Sequence, residues 1–205
     1  VQDKEWQIAQ SILLWVDQTA AMSFTSDKNL ASKGHRARTI ALATAILLIR
    51  GGERVGLTGL RLPPKRGEQQ LAQMAALLSE DSDKDFGAPE ALFISDFLGD
   101  IEPTRDALFK AADRGVRGAL LQILDPQEEA FPFDGRTIFQ SMSGTMQHET
   151  LKAGDLKSRY LDRLAQRKDD LQSLARMTGW QFQTHHTNTA PNTALMWIYG
   201  ALERQ

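Results

Sequence analysis

The chain contains no cysteine, which removes disulfide frameworks, thiolate zinc sites, iron–sulfur clusters and cysteine nucleophiles together. That absence fits a reducing compartment. An excess of one charge is missing too: 24 Lys and Arg stand against 26 Asp and Glu, a net charge of −2, so no global positive field is available for a nucleic-acid backbone or an anionic membrane. Long apolar runs are also lacking. The longest, Thr39 to Ile49, lies between Arg38 and Arg50 and is about half of what a membrane span needs. The opening Val1-Gln2-Asp3-Lys4-Glu5 has neither an initiator Met nor the basic, apolar and small-residue order of a signal peptide. The sequence is therefore expected to be one domain, residues 1–205, trimmed from a longer protein. The common chemical motifs are missing as well: no GxGxxG follows a strand, and GxxxxGK[ST], GxSxG and HExxH do not occur.

What is present is an alternation of branched-aliphatic segments with amphipathic ones from end to end, the sequence form of an α/β sheet with crossover helices. Buried strands are expected over Ile8 to Val16, Arg54 to Leu60, Ala91 to Ser95, Ala119 to Leu124 and Trp180 to Thr184. Ile40, Ala43, Ile46, Leu47 and Ile49 recur at helical spacing and predict a helix from about Asn29 to Arg50, stopped by Gly51-Gly52. Pro63-Pro64-Lys65-Arg66-Gly67 reads as a turn or loop. A short helix follows through Leu71, Met74, Ala75 and Leu78, and the acidic stretch Ser79 to Asp85 reads as a solvated loop. Pro103 suits the start of a helix reaching about Arg114, with Gly115 as its cap.

Between Arg136 and Lys152 polar and apolar residues alternate around Ser143-Gly144, which predicts an inserted β-hairpin. Asp155 is the expected N-cap of a long helix to about Met177, with Arg159, Arg163, Lys168 and Asp169 on its outer side. Asn192 is the expected cap of a final helix carrying Leu195, Ile198, Tyr199 and Leu202. Neither an internal repeat nor a low-complexity linker interrupts this order.

Three of the expected strands end in acids: Val16-Asp17, Ser95-Asp96 and Leu124-Asp125. In open parallel sheets ligands bind beyond the carboxyl ends of strands where the strand order reverses, so acids there are better placed than acids elsewhere. Asp17 with Thr19, beside Asp96, can supply oxygen ligands to Mg²⁺; alternatively the three acids cap the loops and helices that follow them. Asp17 and Asp96 are expected to lie close together and, without a cation, to repel. The histidines offer less. His185 and His186 would point to opposite faces of a strand, and His35 and His148 lack a carboxylate or His at ligand spacing.

Four ordered blocks carry a resemblance: Ile12 to Met22, Gly52 to Leu57, Leu92 to Leu98 and Ile123 to Glu129. Together they are similar to the domain of unknown function 58 family, which resembles von Willebrand factor A domains and is commonly encoded beside MoxR-type AAA+ ATPases. The resemblance implies a Rossmann-like, three-layer von Willebrand factor A-type fold, with a mostly parallel sheet between helices on both faces. It also implies a metal-ion-dependent adhesion site at Asp17, Thr19 and Asp96. The family pattern at the first turn is DxSxS, whereas this chain reads Asp17-Gln18-Thr19-Ala20-Ala21, and the Ala21 methyl cannot coordinate a hard cation. The expected site is therefore degenerate and free of Mg²⁺.

Two functions follow from these readings. The first is a non-enzymatic, cytoplasmic interaction module that docks a MoxR-type AAA+ ATPase, or that ATPase's client, through Asp17, Met22, Phe24, Asp96, Phe97, Leu98 and Asp125. Apolar residues rimmed by acids suit docking. The second is a Mg²⁺-dependent phosphoryl hydrolase with Asp17 as nucleophile, in which Thr19 stands where such sites place a second acid.

Overall fold

The computed structural model describes residues 10–79, 92–132, 137–140, 147–150 and 154–203, with strand assignment alone for 137–140 and 147–150. A six-stranded sheet runs β3-β2-β1-β4-β5-β8, built from β1 (Ser11–Val16), β2 (Arg54–Leu57), β3 (Leu62–Lys65), β4 (Leu92–Ser95), β5 (Ala119–Leu124) and β8 (Gln181–His186). All neighbours pair in parallel except β2 and β3, which are antiparallel. The inserted hairpin is present as β6 (Thr137–Gln140) paired antiparallel with β7 (Gln147–Thr150). This is the α/β sheet with crossover helices expected from the alternation of segments, in the mostly parallel, three-layer form that the family resemblance implies.

The central strands are apolar on both faces because helices cover both. Leu14, Leu92, Ile94 and Leu121 face α1 (Lys33–Arg50), α2 (Glu68–Ser79) and α6 (Pro191–Glu203), while Trp15, Phe93 and Leu120 face α3 (Glu102–Asp113) and α5 (Gly154–Thr178). The face that α1 buries differs from the expected one. Ala37, Ile40, Ala41 and Ala45 face the sheet, and Ile46 and Leu47 are exposed. Alanines at four-residue spacing let the helix backbone approach the strands, and from Ile40 to Ile49, where apolar residues lie nearly all round the helix, that small-residue row decides the buried side.

Several boundaries also move. α1 begins at Lys33 because the Ser32 hydroxyl accepts the His35 N–H, while Asn29 is held in a turn by Asp27. α6 begins at Pro191, with Asn192 inside the helix and not its cap. Pro63 and Pro64 lie in β3 and not in a loop, as an edge strand allows. The acidic stretch beyond Ser79 and the side chain of Asp155 lie outside the described residues.

The order of strands reverses between β1 and β4. Asp17 follows β1, Asp96 follows β4 and Asp125 follows β5, so the three acids stand side by side along the carboxyl edge at the switch point.

Candidate functional site

Each of the three acids makes the same local turn. Asp17 Oδ1 accepts the Thr19 N–H at 2.8 Å, Asp96 Oδ1 accepts the Leu98 N–H at 3.0 Å, and Asp125 Oδ1 accepts the Gln127 N–H at 2.9 Å. An aspartate that bonds the backbone two residues on fixes the chain as it leaves a strand. The second oxygen of each carboxylate ties that turn to another element. Asp17 Oδ2 accepts the Ser95 hydroxyl at 2.5 Å, Asp96 Oδ2 accepts the Lys33 ammonium at 2.7 Å, and Asp125 Oδ2 accepts the Ser26 N–H at 2.9 Å. Of the two roles open to these acids in the sequence, the geometry is that of loop organisers.

Lys33 is the residue that the sequence reading passed over. Its ammonium reaches Asp96 at 2.7 Å and Glu128 at 2.6 Å, lies 5.6 Å from the centre of the Phe24 ring, and is only 2% exposed. Burial alone would depress the ammonium, but Asp96 and Glu128 outweigh it and hold the pKa above the ordinary lysine value. Burial lifts the Glu128 carboxyl above the usual range, against the attraction of Lys33 and the bond from the Asp125 N–H. That bond closes a capping box on α4 (Pro126–Ala130), in which Asp125 is the N-cap. The expected repulsion between Asp17 and Asp96 is thus relieved from within the chain, by a hydroxyl for one and an ammonium for the other.

The surrounding groups extend this network. Tyr160 on α5 packs on Phe131, and burial together with the charges of Glu128 and Asp96 pushes its pKa up to about 12, so it stays a neutral phenol. Arg167 on α5 donates to the carbonyls of Phe97 and Gly99, holding the loop after β4. Phe97 sits there at φ 52°, a left-handed conformation unusual for a bulky residue, with its ring buried. Glu129 pairs with both Lys168 and His186, so Lys168 is engaged at the strand ends and does not simply face solvent. His185 turns the other way, toward Arg36 at 3.2 Å, as neighbours on one strand should.

The expected docking residues are brought to one edge, but most lie beneath its surface. Asp17, Met22, Asp96, Phe97 and Asp125 are buried, and Phe24 and Leu98 are partly exposed. The reason is local: the acids bond inward to the turns they organise, and Met22 and Phe97 fill the two opposite cores. What faces outward is Thr19, Ala20, Ser23, Asp27, Lys28, Asn29, Gly99 and Asp100.

Asp17, Thr19 and Asp96, the candidate ligands of the degenerate site, do not fit a divalent ion. Both oxygens of Asp17 and of Asp96 are engaged by donors of the chain, Ala21 offers no oxygen, and an ammonium already lies against Asp96. Among the described residues no three His, Asp or Glu side chains converge as a metal set.

Residues 1–91 match the model of a family described as "Protein of unknown function DUF58". The match takes in β1 through α2, and with it the first two of the four resembling blocks. A search of curated proteins finds no match. Among solved structures the chain is similar to the conserved hypothetical protein BatB from Bacteroides thetaiotaomicron. The likeness has 12% identity and a TM-score of 0.56, over 96% of this chain and 98% of that one. It is similar as well to an aerotolerance-related membrane protein from Bacteroides fragilis carrying multiple mutations to serines. There the identity is 12% and the TM-score 0.57, over 96% of this chain and all of that one. At such identity these likenesses speak for the fold. Among the described residues of this chain, no helix is long and apolar enough to cross a membrane.

Proposed function

We propose that this chain is a non-enzymatic protein-interaction module that docks a partner on the loops at the carboxyl ends of β1, β4 and β5. The observation that carries the reading is the engagement of all six carboxylate oxygens of Asp17, Asp96 and Asp125 by donors of the chain itself. Acids so engaged are withdrawn from chemistry and hold the loops above them in fixed positions, and loops ordered before binding lose less entropy on docking. The partner in this reading is a MoxR-type AAA+ ATPase or that ATPase's client. The match of residues 1–91 supports the family resemblance from which this partner is inferred, and a cytoplasmic location is part of the same proposal. The phosphoryl hydrolase reading gains no support, because Thr19 stands where such sites place a second acid, and the hydrogen bonds from the Ser95 hydroxyl and the Thr19 N–H leave the Asp17 carboxylate a weaker nucleophile.

The test uses residues that face outward, so that binding is separated from folding. Ala20→Arg, Lys28→Glu and Gly99→Asp, combined, should weaken capture of the ATPase by at least about tenfold in a titration, with the circular dichroism spectrum unchanged. Full binding by the folded triple variant would remove this edge as the docking surface.

A further inference from the structure

We propose that the Lys33 ammonium is a built-in cation that holds the acidic strand ends of this fold together in place of a divalent metal. The proposal goes beyond the docking reading and does not rest on it, since its test reads stability and metal binding and not the capture of a partner.

The argument begins with where Lys33 sits. It is the first residue of α1, behind the Ser32 cap, where the helix dipole presents its positive end and a lysine is electrostatically misplaced. It is also 2% exposed, and a buried ammonium carries a large desolvation cost unless it is paired. Two unfavourable terms on one side chain need a strong compensation, and the structure supplies it through Asp96 at 2.7 Å and Glu128 at 2.6 Å. Those partners come from the end of β4 and from α4, while Lys33 itself comes from α1 and its N–H is bound by the Phe24 carbonyl at 3.1 Å. One ammonium thus joins three segments that chain connectivity leaves apart. A bridging cation between carboxylates of separate loops is the structural work that a metal ion does at such an edge.

The surroundings match a monovalent, tethered cation and not a divalent one. Ala21 brings no oxygen to the turn after β1, and Asp17 is satisfied by Ser95 and Thr19. The Phe24 ring adds a face that suits an ammonium. A divalent ion could reach Asp96 Oδ2 only by expelling Lys33, which would leave the expelled ammonium buried beside a dication.

The experiment compares the thermal midpoints of the wild type and of Lys33→Ala with EDTA, with millimolar Mg²⁺ and with millimolar Mn²⁺, and adds a calorimetric titration with Mn²⁺. The wild type should show the same midpoint in all three conditions and no heat of binding. Lys33→Ala should lose about 10 °C in EDTA, the scale expected when one partner of a buried ion pair is removed. It should then regain several degrees in Mn²⁺ and show a binding isotherm that the wild type lacks. Three results would overturn the proposal: a wild-type midpoint raised by Mn²⁺ and no longer raised after Asp96→Asn; a Lys33→Ala variant as stable as the wild type; or a folded Lys33→Ala variant indifferent to Mn²⁺. Should Lys33→Ala fail to fold in EDTA, Lys33→Ser is compared in its place. If that variant also fails to fold, the wild-type arm decides alone: indifference to metal upholds the proposal and a metal-raised midpoint overturns it.

Discussion

A carboxylate at the end of a strand can serve chemistry or serve the loop above it, and the partners of its two oxygens decide which. For Asp17, Asp96 and Asp125 the near partner lies two residues on and is legible in the sequence as a turn-forming aspartate. The far partner is not legible. Lys33 stands 63 residues before Asp96 and 95 before Glu128, a pairing that only the crossover from β1 through α1 to the carboxyl edge creates. Ser95 and Ser26 are hidden in the same way.

His185 gives a further prediction at this scale. Its pKa is pushed down to about 4 by burial first, and then by the positive charges of Arg36 and His186. The fold therefore accepts the neutral ring and rejects the imidazolium. Above the unfolded value of 6.5 the neutral ring carries no penalty, and as pH falls from there toward 4 stability is lost, by roughly 3 kcal/mol in all. Chemical denaturation of the wild type and of His185→Gln across that range should show the wild type losing more stability on acidification. Parallel losses in the two would mean that the imidazole titrates normally.

At the scale of elements, periodicity located every strand of the main sheet but β3, and it misjudged β3 for a reason that the structure makes plain. Two consecutive prolines argue against a strand, because proline lacks the N–H that a central ladder needs, yet an edge strand can dispense with it. The side chain of Gln70 supplies donors instead, reaching the Val55 carbonyl at 2.7 Å and the Pro63 carbonyl at 2.9 Å. The β2–β3 pairing is irregular between Val55 and Leu57, and Gly56 lies at that irregularity. A Cβ on Gly56 would stand 2.5 Å from the Leu62 carbonyl oxygen and 2.8 Å from the Pro64 nitrogen, so no side chain fits without parting the strands. Gly56→Ala should therefore cost about 1–3 kcal/mol in urea unfolding. Hydrogen exchange should rise first in β3 and in the first turn of α2. A neutral Gly56→Ala variant would mean that the edge hairpin can shift to admit a methyl.

For the whole molecule, the consequence of a sheet covered on both faces is that its two cores share their strands. Leu14 belongs to the core under α1, α2 and α6, and Trp15, the next residue, belongs to the core under α3 and α5. Phe93 and Ile94 divide in the same way on β4, as do Leu120 and Leu121 on β5. Losing either helical layer would expose one face of all three central strands to water, at about 25 cal/mol for each Å² of apolar surface, so neither layer has a stable half-sheet to fall back on. The chain should accordingly unfold as one cooperative unit, which is what a single domain requires. The tryptophans make this testable, because Trp15 and Trp180 lie in one core and Trp197 packs against the other. With Trp6 replaced by Phe throughout, fluorescence of Trp15→Phe/Trp180→Phe, which reports on the core that Trp197 packs against, and of Trp197→Phe, which reports on the core of Trp15 and Trp180, should each give a urea midpoint that coincides with that variant's own far-ultraviolet circular dichroism. Fluorescence and dichroism midpoints that separate in either variant would show two folding units where the shared strands demand one.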